Sequence, residues 1–313
     1  MHAKAVIIDC DPGVDDALAL LLAFASRAEM DVLAVTTVAG NVNAALTARN
    51  ARLIRQIAGR EDVPIYAGAV APLVRPPVVA SHFHGDSGLG WMAISEPAAP
   101  AASGHAVDAI IDLIMSRPPG SVSIAVTGPA TNLALAMTRQ PAIAQRLAQV
   151  VIMGGARSEG GNITASAEYN VFADPHAAEL VFRSGAPCVV LGLDATHQVR
   201  ATPPRLDAIR EIGTPAAMAV ADLLDFSMDV HRRLVGPEDD PPLHDPCTIA
   251  YLLEPSLFQT VPVDLRVELE SPLTLGHTAV EFRVKDPGAA TVQWAVKANA
   301  EGVFDLLLER LAR

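Results

Sequence analysis

The 313-residue chain has little lysine, since only Lys4, Lys285 and Lys297 stand beside twenty arginines. Its formal net charge is −12. Binding to nucleic acid depends on a dense basic surface, so this balance argues against a nucleic-acid partner. An acidic surface is also an ordinary way for a protein to stay soluble, and by itself it identifies no ligand.

Cysteine and long apolar runs are scarce as well. Cys10, Cys188 and Cys247 form no CxxC pair and are odd in number, which is typical of free, buried thiols in a reducing compartment. No stretch approaches the ~18 consecutive apolar residues of a membrane span, and the residues before the first aspartate are too few for a signal peptide. We therefore expect a cytoplasmic protein with no membrane partner.

The sequence has no Gly/Ser linker, internal repeat or charge block, which favours one domain over residues 1–313. Short, continuously apolar runs rich in β-branched residues alternate with helical patterns, as expected for strands covered on both faces. This alternation predicts an α/β fold: a single doubly wound domain with a mostly parallel central sheet flanked by helices.

The predicted elements follow from this alternation. The predicted strands are 5–9, 30–40, 63–68, 121–128, 149–155, 187–194, 262–270, 278–284 and 291–298. The predicted helices are 15–28, 43–58, 105–117, 174–184, 205–212, 215–233 and 301–312. Two connections, 69–104 and 155–172, are longer than usual and are candidate lids or binding loops.

The segment DCDPGVDD places Asp9, Asp11, Asp15 and Asp16 at the end of the first predicted strand, the edge where such sheets bind ligands. Aspartate in the first turn of a helix stabilises it by about 0.3–1 kcal/mol, which accounts for one or two of them. Two carboxylates ~4 Å apart repel by roughly 4 kcal/mol at an effective dielectric constant of about 20. Either a cation lies among them or one is protonated, and we favour the cation.

Two other interpretations of the aspartate loop agree less well with the sequence. Oxygen ligands alone favour Ca²⁺ or Mg²⁺ over zinc, but an EF-hand is excluded because its twelfth position, counted from Asp9, is Leu20. A DxD-type phosphatase needs a cation, usually lysine, on the phosphoryl group, and no lysine lies between Lys4 and Lys285.

The chain closely resembles the inosine–uridine nucleoside hydrolase family, in motifs spread over essentially its whole length. The aspartate loop alone is moderately specific, and the ordered set of motifs is very specific. The matching segments are DCDPGVDDALAL (9–20), TTVAGNVN (36–43), HFHGDSGLG (82–90), VTGPATNLA (126–134), VIMGGARSEGGNITASAEYNVFADPHAA (151–178), GLDATHQ (192–198) and LHDPCTIAYLLEP (243–255).

The resemblance implies an enzyme that cleaves the N-glycosidic bond of ribonucleosides with a Ca²⁺-bound water. It implies Ca²⁺ ligation by the carboxylates of Asp11, Asp16 and Asp245 and by the carbonyl of Thr127. Asp11 would be the general base, and Asp15 would orient the water and the ribose 3′-hydroxyl. Glycosidic cleavage has an oxocarbenium-like transition state, so carboxylates and a cation suit this chemistry.

Further substrate contacts are implied by the same resemblance. His244 would face the nucleobase and protonate it as it leaves, His84 would lie on a mobile loop near the substrate, and His197 would be structural. The remaining expected contacts to the sugar are Asn41, Met153, Asn162, Glu168 and Asn170.

The part of the predicted site that would face the nucleobase, here called the base end, differs from that of some relatives. In those relatives the helix corresponding to 215–233 presents tyrosines that stack on purines. Here Ser227 and His231 lie one helical turn apart on one face, and Phe226 is the nearest aromatic residue. We therefore expect broad inosine and uridine hydrolysis, with a pyrimidine-specific (uridine/cytidine) hydrolase as the alternative. A non-catalytic nucleoside-binding module and a DxD phosphatase are remote alternatives. Family members are commonly homotetramers or homodimers, so the resemblance also implies a homo-oligomer in purine and pyrimidine salvage.

Overall fold

A large, mostly parallel sheet forms the centre of the computed structural model, which describes residues 3–236 and 239–313. Within those residues it has nine strands: β1 (Lys4–Cys10), β2 (Met30–Thr37), β3 (Ile65–Ala67), β4 (Val122–Val126), β5 (Leu147–Met153), β6 (Cys188–Leu191), β7 (Phe258–Val267), β8 (Thr278–Glu281) and β9 (Val292–Ala298). Their order is β3-β2-β1-β4-β5-β6-β9-β7-β8. The strands from β3 to β9 in this order pair in parallel, and β7 runs antiparallel to β9 and β8. The predicted doubly wound, mostly parallel sheet is confirmed.

Helices cover both faces of the sheet. They are α1 (Val14–Ala25), α2 (Ala44–Ile57), α3 (Ser81–His84), α4 (Ala106–Met115), α5 (Thr131–Arg139), α6 (Ala142–Arg146), α7 (Tyr169–Ala173), α8 (Pro175–Phe182), α9 (Leu193–Thr196), α10 (Pro203–Ile212), α11 (Pro215–Leu234), α12 (Pro246–Leu253) and α13 (Ala300–Leu311). Two short 3₁₀ turns are Pro255–Leu257 and Pro287–Ala289. Across residues 3–236 and 239–313, no helix combines the length and apolar character needed to cross a bilayer.

The apolar core has two halves, one on each face of the sheet. In β1, Val6 and Ile8 pack with α1, α2 and α10 to α13, whereas Ile7 packs with α4, α5, α6 and α8 on the other face. All five residues of β4 are buried. A strand covered on both faces has no solvent side, and this explains why these strands are continuous apolar runs and not alternating ones.

Several predicted element bounds need correction. The predicted strand 187–194 ends at Leu191, because Gly192 turns the chain into α9. The predicted strand 262–270 begins earlier, at Phe258, where the chain pairs with β9, and it ends at Val267. The long connection 69–104 contains α3, and the long connection 155–172 ends inside α7.

Six helices of the described residues were not predicted: α3, α5, α6, α7, α9 and α12. Glu168 caps α7 by accepting hydrogen bonds from the backbone N–H groups of Asn170 and Val171, and glutamate is a weak capping signal in a sequence. Helix α12 begins with Pro246 in its first turn, directly after Asp245. The carboxyl ends of β1, β4 and β5 and the first turns of α1 and α12 therefore meet at one edge of the sheet.

Candidate active site

A cavity of about 350 Å³ opens at this edge, within the usual size range of small-ligand sites. Most predicted site residues line it, and they come from widely separated parts of the chain. They are Asp15, Asn41, His84, Thr127, Met153, Asn162, Glu168, Asn170, Ser227, His231, His244 and Asp245. Asp11 and Asp16 lie beneath its floor and are fully buried. The fold thus brings together residues that are more than 200 positions apart.

Asp16 is held by the first turn of α1 and by its neighbours. Its Oδ2 accepts hydrogen bonds from the backbone N–H of Gly13, at 3.1 Å, and from Nδ2 of Asn41, at 3.0 Å. Its Oδ1 accepts from the Oγ1 hydroxyl of Thr127, at 2.7 Å, and from the backbone N–H of Asp11, at 3.2 Å. These four hydrogen bonds therefore fix the orientation of the Asp16 carboxylate.

Asp11 lies against two glycines that leave no room for a side chain. Its Oδ2 accepts a hydrogen bond from the backbone N–H of Asn41, at 2.7 Å. Its Oδ1 is buried and has no hydrogen-bond partner among the described residues. A Cβ on Gly40 would lie 2.0 Å from Oδ2, and a Cβ on Gly128 would lie 2.4 Å from Oδ1. The pocket for this carboxylate therefore requires glycine at both positions.

Three carboxylates come close enough to share a cation. Oxygens of Asp15, Asp16 and Asp245 all lie within 4.8 Å of one another. Burial raises the pKa of Asp16 to about 6, and burial with repulsion from Asp15 and Asp16 raises that of Asp245 well above its usual range. The pKa of Asp11 is also raised well above its usual range, by burial and by repulsion from Asp16. Such a cluster of buried acceptors fits a hard cation, whose charge would favour the ionised forms.

This cluster differs from the expected ligand set in one member, because Asp15 is close to Asp16 and Asp245 whereas Asp11 sits deeper. Asp11 still offers Oδ1, a buried acceptor that has no hydrogen-bond partner among the described residues. The carbonyl of Thr127 accepts a hydrogen bond from Nδ2 of Asn170, at 2.7 Å. The described residues therefore fit a metal ion, and which of these oxygens ligate it stays a prediction.

The predicted sugar-binding loop is tightly hydrogen bonded. Glu168 is buried, and its carboxylate accepts from the backbone N–H groups of Gly155, Asn170 and Val171, at 2.8–3.1 Å. Oδ1 of Asn162 accepts from the backbone N–H of Tyr169, at 2.8 Å. These bonds give both side chains a structural role as well as a place on the cavity wall. Their contact with a sugar stays a prediction.

Two histidines that line the cavity, His84 and His244, are held in neutral forms. Burial lowers the pKa of His84 to about 4, and its Nδ1 accepts a hydrogen bond from the backbone N–H of Val14, at 3.0 Å. Burial lowers the pKa of His244 to about 3, and its Nδ1 lies 2.8 Å from Oγ1 of Thr196. If Thr196 donates to Nδ1, the other ring nitrogen of His244 carries a proton and can donate a hydrogen bond.

The cavity is also lined by residues that were not among the predicted substrate contacts. Phe83, Tyr169, His197, Arg200 and Asp239 line it as well. Phe83 lies inside the quoted segment HFHGDSGLG, so a signal for it was available. Nothing in the sequence around Arg200 and Asp239 pointed to the site.

Two residues, His197 and Phe226, need separate comment. His197, expected to be structural, pairs with Glu159 at 2.9 Å and also faces the cavity. Phe226 is not among the residues that line the cavity, and it packs edge-on against Trp91 with ring centroids 5.3 Å apart. Phe83 and Tyr169, by contrast, do line the cavity.

Comparison with known proteins agrees with this geometry. The family model described as inosine-uridine preferring nucleoside hydrolase matches residues 6–305. The chain is 42% identical over 313 residues to the inosine-uridine preferring nucleoside hydrolase of Crithidia fasciculata, covering 99% of this chain and 98% of that protein. It is 42% identical over 312 residues to the pyrimidine-specific ribonucleoside hydrolase RihA of Photobacterium profundum, covering 99% of both.

A solved structure shares the fold. The purine-preferring ribonucleoside hydrolase from Gardnerella vaginalis matches with a TM-score of 0.92 and 33% identity, over 99% of this chain and 98% of that one. Family, fold and site agree, so the phosphatase and the non-catalytic module are no longer needed as explanations. The chain belongs to the inosine-uridine preferring nucleoside hydrolase family and is an enzyme that hydrolyses N-glycosyl bonds of ribonucleosides.

Proposed function

We propose that this enzyme hydrolyses both inosine and uridine to ribose and the free base, with Ca²⁺ as its cofactor. The observation that carries this proposal is the cavity itself. It is lined by the convergent carboxylates of Asp15 and Asp245 and also by the polar side chains of Ser227 and His231. A ribonucleoside has the matching polarity, with a diol at one end and a hydrogen-bonding base at the other.

Asp11, Asp16, Asp245 and the carbonyl of Thr127 would hold the Ca²⁺ ion. When bound, the ion supplies positive charge that offsets the carboxylates and orients the ribose hydroxyls. The unpartnered Oδ1 of Asp11 supports this assignment, because a buried acceptor without a donor costs free energy unless a ligand satisfies it.

Asp11 is proposed as the general base. It takes a proton from the attacking water while the water oxygen bonds to the anomeric carbon and the bond from that carbon to the base nitrogen breaks. Asp15, at the cavity surface, would orient the water and the 3′-hydroxyl.

The sugar and the leaving base would each have their own contacts. We propose that Asn41, Met153, Asn162, Glu168 and Asn170 hold the ribose, and that His84 closes the cavity beside α1. His244 is proposed to donate to the leaving nitrogen. Because its pKa is lowered to about 3, His244 is neutral at neutral pH and has to donate its ring N–H or first acquire a proton.

A pyrimidine-specific enzyme is the second candidate. It is favoured by Phe226, which contacts Trp91 and so leaves less aromatic surface for stacking on a purine. One relative that is 42% identical is named as pyrimidine-specific. A preference of more than about a hundredfold for uridine or cytidine over inosine would establish this candidate.

A kinetic panel over the common ribonucleosides, with 2′-deoxy controls, tests the proposal. A site that pairs a hydroxyl can reject the analogue that lacks it by about 10⁴–10⁵ in kcat/KM, because buried polar groups are left unpaired. We expect 2′-deoxyinosine to be a very poor substrate beside inosine. Comparable kcat/KM for the two would contradict the proposed sugar site.

We further propose that residues 1–313 form one hydrolase domain and that the enzyme is a cytoplasmic homo-oligomer, tetramer or dimer, that serves nucleoside salvage. The three buried, free cysteines support a reducing compartment. Size-exclusion chromatography with light scattering would give the oligomeric state.

A further inference from the structure

At the base end of the cavity, Arg200 holds the carboxylate of Asp239 in place. Nη1 of Arg200 lies 2.8 Å from Oδ1 of Asp239 and donates to the carbonyl of Asp240, at 2.7 Å. Nε of Arg200 donates to the carbonyl of His197, at 2.8 Å. Arg200 therefore connects the segment that contains Asp239 to the end of α9. The other carboxylate oxygen of Asp239, Oδ2, does not take part in this ion pair.

That second oxygen faces His231. Oδ2 of Asp239 lies 3.4 Å from Nε2 of His231, longer than a well-formed hydrogen bond. Nε2 is buried and has no hydrogen-bond partner among the residues that the structure describes. His231 also lines the cavity. Nε2 therefore points to the carboxylate, and Nδ1 is the ring nitrogen left for a ligand.

The ring nitrogen that carries the proton is set by the bond that the other nitrogen makes. A carboxylate is only an acceptor, so it favours a proton on Nε2. Burial lowers the pKa of His231, which keeps the ring neutral and leaves Nδ1 without a proton. A neutral imidazole in this form offers the cavity an acceptor.

We propose that Asp239, anchored by Arg200, is a positioning residue that holds His231 as the Nε2–H tautomer, so that Nδ1 accepts a hydrogen bond from the nucleobase. This rests on the proposed nucleoside hydrolysis and specifies the substrate class. Uracil and hypoxanthine carry a ring N–H beside a carbonyl, whereas cytosine and adenine present an unprotonated ring nitrogen there. The site should thus discriminate by the protonation pattern of the base edge, for pyrimidines and purines alike.

Kinetics on paired substrates tests the proposal. We expect the wild type to prefer uridine to cytidine and inosine to adenosine, and we expect Asp239→Asn to lower both ratios of kcat/KM about tenfold, the value of one hydrogen bond. Asp239→Glu should restore part of the preference. The matched control is Asp229→Asn, because Asp229 has a similar exposure and also pairs with an arginine, at 2.8 Å from Arg233. Ratios unchanged in Asp239→Asn, or a wild type that prefers cytidine, would overturn the proposal.

A second readout separates this inference from the proposed function. Long-range ¹H–¹⁵N correlation spectra of ¹⁵N-histidine-labelled enzyme report the tautomer, with His231→Gln used to identify the resonance. We expect Nε2–H in the wild type and in Asp229→Asn, and a mixture of tautomers in Asp239→Asn. A wild type protonated on Nδ1 would refute the positioning role even in a fully active enzyme. The expected tautomer in a chain that hydrolyses no nucleoside would leave Asp239 assigned and the proposed function wrong.

Discussion

The two ends of the cavity are built differently. At the sugar end, Asp11, Asp16 and Asp245 are almost fully buried, and they follow strands or precede helices of the central core. At the base end, His231 lies in the last turns of α11 and Asp239 lies in a connection, with its side chain 45% exposed. The first end is held by the sheet, and the second by a helix end and a loop.

We expect this difference to separate the residues that carry out the reaction from those that set its specificity. Groups at the ends of packed strands cannot move without disturbing the core, so they suit chemistry that needs exact placement. A helix end and a surface connection can change at little cost in stability. Relatives with similar identity are named for inosine and uridine or for pyrimidines. We therefore expect substitutions at the sugar end to abolish activity on every nucleoside. Substitutions at the base end should change the relative activity on different nucleosides.

Removal of the metal should have the largest effect and should act only through the sugar end. We expect exhaustive chelation to abolish hydrolysis of every nucleoside and to lower the melting temperature, since a ligand present at 100 times its Kd stabilises the native state by about 2.7 kcal/mol. Activity assays, elemental analysis and calorimetry measure this, with Ca²⁺ re-addition as the control. Full activity after chelation would contradict the metal assignment.

Asp11→Asn should be the most damaging substitution. We expect kcat to fall by about 10⁴, at the upper end of the usual range for a general base, with the fold retained. Steady-state kinetics and circular dichroism measure the two parts, and the metal content of the variant must be compared with that of the wild type. A loss of tenfold or less in kcat would indicate that another residue is the general base, and Asp15 would be the next candidate.

His244 lies between the two ends, and its effect should depend on the leaving group. We expect His244→Ala to slow inosine hydrolysis by roughly 10²–10⁴ and to leave p-nitrophenyl riboside nearly unaffected, because nitrophenolate leaves as a stable anion. The two substrates serve as controls for each other. Equal losses on both would instead indicate damage to the neighbouring Asp245.

His231→Ala should have the smallest effect and should change only the ranking of substrates. Loss of one hydrogen bond to the base predicts a decrease in kcat/KM of up to about tenfold, larger for uridine than for inosine. The p-nitrophenyl riboside has no base edge and should be unaffected. If all three substrates decline together, His231 supports the cavity wall and does not contact the base.

Much of the sheet was predictable, because a strand buried on both faces has to be continuously apolar, as β1 and β4 are. The helices that escaped prediction are short or are begun by proline or by a glutamate cap, and the signals for these starts are local and weak. The proximity of Asp15 and Asp16 could be inferred from spacing alone, since carboxylates concentrated at one strand end are costly without a counter-ion.

The amino-acid sequence by itself determined the α/β class, the acidic loop at the end of β1 and, through the order of its motifs, the family. Only the tertiary structure decided that Asp15 is the carboxylate grouped with Asp16 and Asp245, that Phe226 packs on Trp91 away from the cavity, and that Asp239 faces His231. The reason is physical. Strand and helix patterns arise from neighbours in the chain, whereas contacts such as Arg200 with Asp239 depend on how two distant segments pack, and no local spacing encodes that packing.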